Sequence, residues 1–237
     1  MLSKYVEDYI KNIYLLQERG KRVSTTALAQ ALGVSAASAT NMIKKLTELA
    51  LVEYQPYRGV RLTEVGEKVA LEIIRHHRLL ELYLTEVVGM SWDKVHAEAD
   101  ALEHVISEEL EELLDRKLGR PLLDPHGDPI PSKELRIPPP RAGLTGLDQA
   151  RAGAGLEVAR IVGADPEVLR YLAKVGLKPG APLQVLEVGP FGDPLRIRVR
   201  GKEQVIGATI AAQILVVPRS TTAQRARRGK TTPSSRS

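Results

Sequence analysis

The chain contains no cysteine, which excludes disulfides, thiolate zinc sites and cysteine nucleophiles together. It has no run of about 18 apolar residues, so a membrane-spanning helix is excluded as well. The charged amphipathic segment after Met1 lacks the apolar centre of a secretory signal, which points to a cytoplasmic protein. What is present is ordinary for a folded protein: 43% hydrophobic and 27% charged residues. At roughly 150 residues per domain, 237 residues predict two compact domains, or one large domain with an appendage.

The net charge of +5 hides an uneven distribution. Residues 1–70 carry a net +3, residues 71–140 a net −7, and residues 141–218 a net +3. Residues 219–237 hold six basic residues and no acidic one, so the basic character belongs to the tail and the body without it sums to −1. All five histidines, His76, His77, His96, His104 and His126, fall in the acidic middle. Carboxylates and imidazoles gathered in one stretch are the composition a divalent metal site requires.

Hydrophobic periodicity and stop signals predict a first helix over Tyr5 to Glu18, ended by Gly20. Ser24 can cap a short helix to Leu32, Gly33 breaks it, and Ser35 can cap a second helix to about Leu49. Two short strands, 51–54 and 60–63, flank Gln55 to Gly59 as a wing hairpin, which completes a winged helix-turn-helix over 1–70. Thr63 can cap a long helix from about Val65 to Gly89, and another is predicted from Trp92 or Asp93 to Leu118. Residues 121–146, with three consecutive prolines at 138–140, read as an extended linker. The two long helices can pair with each other and with a second subunit, so 71–140, helices plus linker, are expected to form a helical dimerisation domain that also holds the candidate metal ligands. Five short strands (155–162, 182–188, 195–199, 203–206 and 212–217), with one helix from Asp165 to Ala173, predict a small SH3-like β-barrel over 141–218. The fold class is therefore mainly α with a small β domain, followed by a disordered basic tail over 219–237.

In such a motif the second helix enters the major groove. Its exposed face offers Ser35, Ser38, Thr40 and Asn41 to bases or phosphates, Ala36, Ala37 and Ala39 to thymine methyls, and Lys44 and Lys45 to the backbone. Arg58 and Arg61 on the wing can reach flanking phosphates or the minor groove. A winged helix used only for protein contacts is the alternative.

Asp100, Glu103 and His104 stand at i, i+3 and i+4, which places two carboxylates and an imidazole on one helical face. His77 and Glu81 repeat the i, i+4 spacing on the preceding helix, and His96 lies one turn before Asp100. Each alone reads equally as a solvated charge or a satisfied core histidine; two such faces on helices expected to pack together favour metal.

Several stretches together carry a family resemblance: Glu-Asp-Tyr-Ile-Lys-Asn-Ile-Tyr (7–14), Leu-Thr-Glu-Val-Gly (62–66), Arg-His-His-Arg-Leu-Leu-Glu (75–81), Val-His-Ala-Glu-Ala-Asp-Ala-Leu-Glu-His (95–104) and Asp-Pro-His-Gly-Asp-Pro-Ile-Pro (124–131). Over nearly all of residues 1–218 the chain resembles the diphtheria toxin repressor family of metal-dependent transcriptional regulators. The resemblance implies a homodimer with a C-terminal SH3-like (FeoA-like) domain, which represses metal-uptake genes at a palindromic operator when the ion is abundant. It places a primary metal site on Asp8, Asp100, Glu103 and His104, and an ancillary site on His77, Glu81 and His96. In the C-terminal domain, Asp165 and Glu167 lie in the segment that donates further ligands in some relatives. Iron-responsive relatives have Met and Cys where this chain has Asp8 and Asp100, so the ligand set resembles the manganese transport regulators and points to Mn(II), with Fe(II) as the competitor. Lys11 stands where one manganese-sensing branch has a metal-binding Glu, which argues against paired metals at the primary site.

Two rivals come from other classes. A metallohydrolase would use similar ligands, but no nucleophile motif accompanies them and they share a chain with a helix-turn-helix. A winged-helix regulator responding to an organic ligand or protein partner, with metal only structural, is the other.

Overall fold

The computed structural model describes residues 2–18, 20, 22–163 and 165–219. Among these, no helix is long and apolar enough to cross a membrane. The chain divides into two compact units, residues 1–125 with 129–138, and residues 126–128 with 139 onward. The basic tail from residue 220 lies outside the described residues.

The first unit opens with helix α1 (Lys4–Gln17), whose Val6, Ile10 and Ile13 are buried. Helix α2 (Thr25–Leu32) begins where the Ser24 side chain accepts from Ala27 N, and α3 (Ala36–Glu48) where Ser35 accepts from Ser38 N. Each such cap stabilises its helix by about 1 kcal/mol. Gly33 between them is left-handed (φ 64°), the geometry a short turn between two helices demands. Strands β1 (Val52–Gln55) and β2 (Gly59–Leu62) pair antiparallel from Val52 opposite Leu62 to Gln55 opposite Gly59. Gly59 has φ 92°, and a Cβ there would lie 2.5 Å from the carbonyl oxygen of Val23, so the wing closes on the body only with glycine. Val6, Ile10, Leu28, Ile43, Leu46, Val60 and Leu62 close one apolar core beneath these elements.

Helix α4 (Glu64–Tyr83) starts at Thr63, whose hydroxyl accepts from Gly66 N, and finishes in a π-helical turn, Leu84–Val88, ended by left-handed Gly89. The predicted helix to Gly89 is thus α-helical only to Tyr83. The single helix expected over 92–118 is two: α5 (Val95–Leu102) and α6 (Glu108–Lys117). Ser107 accepts from Leu110 N and caps α6, and Glu108, Glu109 and Glu111 in its first turn suit the positive helix end. The expected linker is no solvated strap, because Ile130 is buried against Leu79 and Leu82. Buried Arg75 and Arg78 of α4 donate to the carbonyls of Pro131 and Pro129 and hold this segment down.

The second unit is a six-stranded antiparallel sheet ordered β3-β8-β4-β5-β6-β7. Its strands are β3 (Thr145–Gly146), β4 (Gly155–Ile161), β5 (Pro182–Val188), β6 (Leu195–Val199), β7 (Lys202–Ile206) and β8 (Ile214–Pro218). Helix α7 (Pro166–Val175) follows β4, and a short α8 (Ala208–Ala211) precedes β8. The sheet carries one strand more than expected and does not close, since β3 and β7 stand at its two edges. Alternation makes the core: Leu195, Ile197 and Val199 point inward while Arg196 and Arg198 face out. Residues 126–128 join this unit through Ile161 N, which donates to the carbonyl of His126 (2.8 Å). Gly127 (φ 87°) leaves the room for that approach, because a Cβ would meet the carbonyl oxygen of Ala159 at 2.2 Å.

Candidate metal centre and nucleic-acid interface

Among the described residues four groups of donor atoms come together, one of Glu72, His76 and Glu108 on α4 and α6, and three along α1, α4 and α5. In the first of these three, His104 Nε2 lies 3.0 Å from Asp8 Oδ1 and 3.5 Å from Glu103 Oε1. In the second, His77 Nε2, Glu81 Oε1 and His96 Nδ1 form a triangle with all three sides 3.0 Å. Two donors about 2.1–2.5 Å from an ion and roughly at right angles stand about 3.0–3.5 Å apart, so both groups fit a divalent cation. The donors are carboxylate oxygens and imidazole nitrogens only, with no sulfur among them.

The third group is His77 Nδ1, Asp100 and Glu103. Here the Lys11 ammonium stands among the donors, 2.8 Å from Asp100 Oδ1, 2.7 Å from Glu103 Oε2 and 3.0 Å from both Glu103 Oε1 and His77 Nδ1. Burial alone would lower the pKa of His77, but hydrogen bonds to Asp100, Glu103 and Glu81 favour the imidazolium and raise it to about 10. Burial would raise the Asp100 carboxyl, yet its hydrogen bond to His77 and the Lys11 charge hold it well below the usual carboxylate range. A metal entering at His77 would have to displace that proton.

Of the four primary ligands read from the sequence, Asp8, Glu103 and His104 converge, while the Asp100 carboxylate turns to Lys11 and His77. The cause is the end of α5. Asp100 is within the helix, Glu103 caps it and His104 follows in the turn, so the three do not share one continuous helical face. His77, Glu81 and His96 meet as expected. Asp165 and Glu167 belong to the second unit, where the Asp165 carboxylate accepts from Glu167 N (2.8 Å) and Val168 N (3.3 Å) as the cap of α7.

Sequence reasoning missed Glu7, whose Oε2 lies 2.6 Å from His104 Nδ1, on the ring atom opposite the one facing Asp8. A carboxylate there fixes the tautomer and orientation of a ligating imidazole. The available signal was its place beside Asp8 on a helix expected to face the site.

On α3, Ser35, Ala36, Ala37, Ser38, Asn41, Lys44 and Lys45 are exposed and Thr40 is half-buried. Ala39 is fully buried in the core beneath α3, which removes it from the thymine-contact set. Thr40 Oγ1 donates to the carbonyl of Ala36 (2.8 Å), and Ser35 and Ser38 share a hydroxyl contact of 2.9 Å. On the wing Arg58 is exposed, and Arg61 Nε donates to Glu53 Oε2 (2.7 Å).

Comparison with known proteins agrees in order and extent. Residues 1–60 match the model of the iron dependent repressor N-terminal DNA binding domain. Residues 63–132 match the iron dependent repressor metal binding and dimerisation domain, and residues 145–218 the FeoA domain. The iron-dependent repressor IdeR of Mycobacterium tuberculosis is 32% identical over 209 residues, covering 84% of this chain and 90% of the relative. The diphtheria toxin repressor of Corynebacterium efficiens is 29% identical over 189 residues, 76% of this chain and 82% of the relative. A solved manganese-dependent transcriptional repressor in complex with manganese superposes with a TM-score of 0.83 at 40% identity, covering 90% of this chain and 100% of the other. ScaR with bound Cd2+ gives 0.76 at 31% identity, covering 90% of this chain and 99% of the other. A DNA-binding motif, a helical metal-binding and dimerisation region and a FeoA-like sheet thus follow one another as in these relatives, and the chain belongs to the diphtheria toxin repressor family of metal-dependent DNA-binding transcriptional repressors.

Proposed function

We propose that this repressor senses Mn(II), with Fe(II) as the competing effector, and controls genes of metal-ion uptake as a homodimer on a palindromic operator. The observation that carries the reading is the meeting of Asp8, from a helix of the DNA-binding motif, with Glu103 and His104 at the end of α5, in an all-oxygen-and-nitrogen set without a soft ligand. The primary centre is assigned to these three residues. Asp100, the fourth ligand implied by the family resemblance, has its carboxylate on Lys11 and His77. The ancillary centre is assigned to His77, Glu81 and His96; Asp165 and Glu167 have no further support beyond the family resemblance. Ser35, Ala37, Ser38, Thr40, Asn41, Lys44 and Lys45 of the second helix, with Arg58 and Arg61 of the wing, are assigned to DNA. The division proposed is 1–70 for DNA binding, 71–140 for dimerisation and metal, and 141–218 for the SH3-like domain.

The switch follows from where the residues sit. Asp8 on α1 shares a donor group with Glu103 and His104, and carboxylates so gathered repel one another. A bound divalent ion supplies the positive charge that offsets this repulsion. Asp8 then adds a metal-dependent hold on the end of α5 to the one Lys11 already makes, Glu7 holds the His104 ring in place, and the two recognition helices of the dimer keep the separation a palindrome needs. By linkage, DNA and metal strengthen each other by the same factor. The test is operator binding by the purified protein during titration with Mn(II). Binding that rises with Mn(II) supports the reading; binding indifferent to Mn(II) and Fe(II) returns the protein to regulation by an organic effector.

A further inference from the structure

We infer that the Lys11 ammonium is a tethered cation standing in a metal subsite, so that the primary centre takes one ion where the donor atoms would otherwise hold two. It rests on the reading of Asp8, Glu103 and His104 as the primary centre. Among the described residues, the donor atoms of His77, Asp100 and Glu103 lie within the same 4.8 Å of one another as those of the Asp8–Glu103–His104 and His77–Glu81–His96 groups. Glu103 belongs both to this group and to the Asp8–His104 group, and His77 belongs both to this group and to the Glu81–His96 group. The three groups therefore form one continuous array of donors along α1, α4 and α5. The middle group has a lysine in it.

An ordinary buried ion pair joins one cation to one carboxylate. Lys11 instead meets both oxygens of Glu103 and one of Asp100, all within 2.7–3.0 Å, so its ammonium holds the same carboxylate oxygens that an ion in this group would need. Its side chain is 9% exposed and that of Glu103 is 1% exposed. For a free divalent ion to enter, the ammonium would have to leave these acceptors, and a cation tethered by its own helix competes at a high effective concentration. Removing it without replacement would leave Glu103 buried and uncompensated, which is costly. A single charge fixed in this place also links α1 to the end of α5 without any metal, and leaves the Asp8–His104 group as the part of the array that responds to the ion.

The experiment counts ions and asks whether they are neighbours. In a His96→Ala background, which breaks the ancillary triangle, Mn(II) per subunit is measured by equilibrium dialysis with elemental analysis, and the Mn(II) spectrum by electron paramagnetic resonance. The expected result is one ion with an uncoupled signal; adding Lys11→Glu raises this to two, with an exchange-coupled spectrum because Glu103 bridges the sites. Should Lys11→Glu not fold, Lys11→Met keeps the volume without the charge, and is expected to bind a second ion more weakly. One ion in both lysine variants, or two coupled ions while Lys11 is in place, overturns the inference. Loss of the single ion on Asp8→Ala would show that the parent signal comes from the primary centre. A parent that binds no Mn(II) overturns the primary assignment, and this inference with it.

Discussion

Asp8→Asn separates the metal switch from the fold. Asp8 is the primary donor carried by α1, its Oδ1 lies 3.0 Å from His104 Nε2, and its side chain is 31% exposed. The substitution keeps an oxygen donor and removes one negative charge. A unit charge about 3 Å from a divalent ion is worth roughly 3 kcal/mol if screened as in bulk water, and several times more at a lower effective dielectric. Because a third of the side chain is exposed, the screened end applies. About 3 kcal/mol corresponds to a roughly 100-fold weaker affinity for Mn(II). Linkage carries the loss to DNA, so the Mn(II) concentration that gives half-maximal operator binding rises by a similar factor. The assay pairs calorimetric Mn(II) titration with fluorescence anisotropy on operator DNA, and gel filtration to confirm an unchanged oligomer. An unchanged Mn(II) midpoint in both titrations would refute the argument that α1 is drawn to α5 through this carboxylate.

Glu7→Gln removes the carboxylate that orients His104 and leaves the proposed ligands intact; a 10- to 100-fold weaker Mn(II) affinity is expected, and an unaltered calorimetric affinity counts against the role. Glu111 is held below the usual carboxylate value, first by its hydrogen bond to His76 and then by Arg75, with burial working against them. A depressed folded value means the stabilisation is present above the unfolded pKa of about 4.3 and is lost as pH falls through the folded one. Glu111→Gln should therefore cost about 2 kcal/mol at pH 6, since Arg75 keeps Asp115 at 3.3 Å as a second partner. The variant should also lose less stability than the parent on acidification toward pH 4. Equal acid sensitivity of the two urea midpoints would contradict the assignment.

What was legible in the sequence was local. Ser24, Gly33, Ser35 and Thr63 declare helix ends through hydrogen bonds and backbone angles within a few residues, and each acts where it was read. The break between α5 and α6 was hidden because apolar positions continue through it, although Ser107 followed by Glu108, Glu109 and Glu111 was a readable helix start. The packing of 121–138 was not legible, since Ile130 is buried by Leu79 and Leu82, about fifty residues earlier in the chain. Proline-rich composition gives no hint of such partners. Ala39 shows the same limit within one helix: its side chain is small enough for either the core or a thymine methyl, and only the rotation of α3 decides. In the metal array the spacing found the residue types, but not that α5 ends between Asp100 and His104. Nor could it show that the Asp100 carboxylate meets Lys11, on a helix nearly ninety residues away.

The shared residues decide how the array can be dissected. His77 directs Nδ1 toward Glu103 and Lys11 and Nε2 toward Glu81 and His96, while Glu103 meets His77 through Oε2 and lies toward His104 through Oε1. A change at either residue alters two donor groups at once, including the protons and charges that set the neighbour's affinity. Effects of substitutions within such a network do not add. Loss of metal response on removing His77 or Glu103 would therefore leave open which group had failed. Asp8, Lys11 and Glu81 each belong to one group only, so the primary centre, the occupied middle and the ancillary centre can be taken apart at those three positions. Their carboxylates and ammonium also differ in charge. The sign of the effect on ion count then separates the middle group from the two centres: fewer ions without Asp8 or Glu81, and one more without the Lys11 charge.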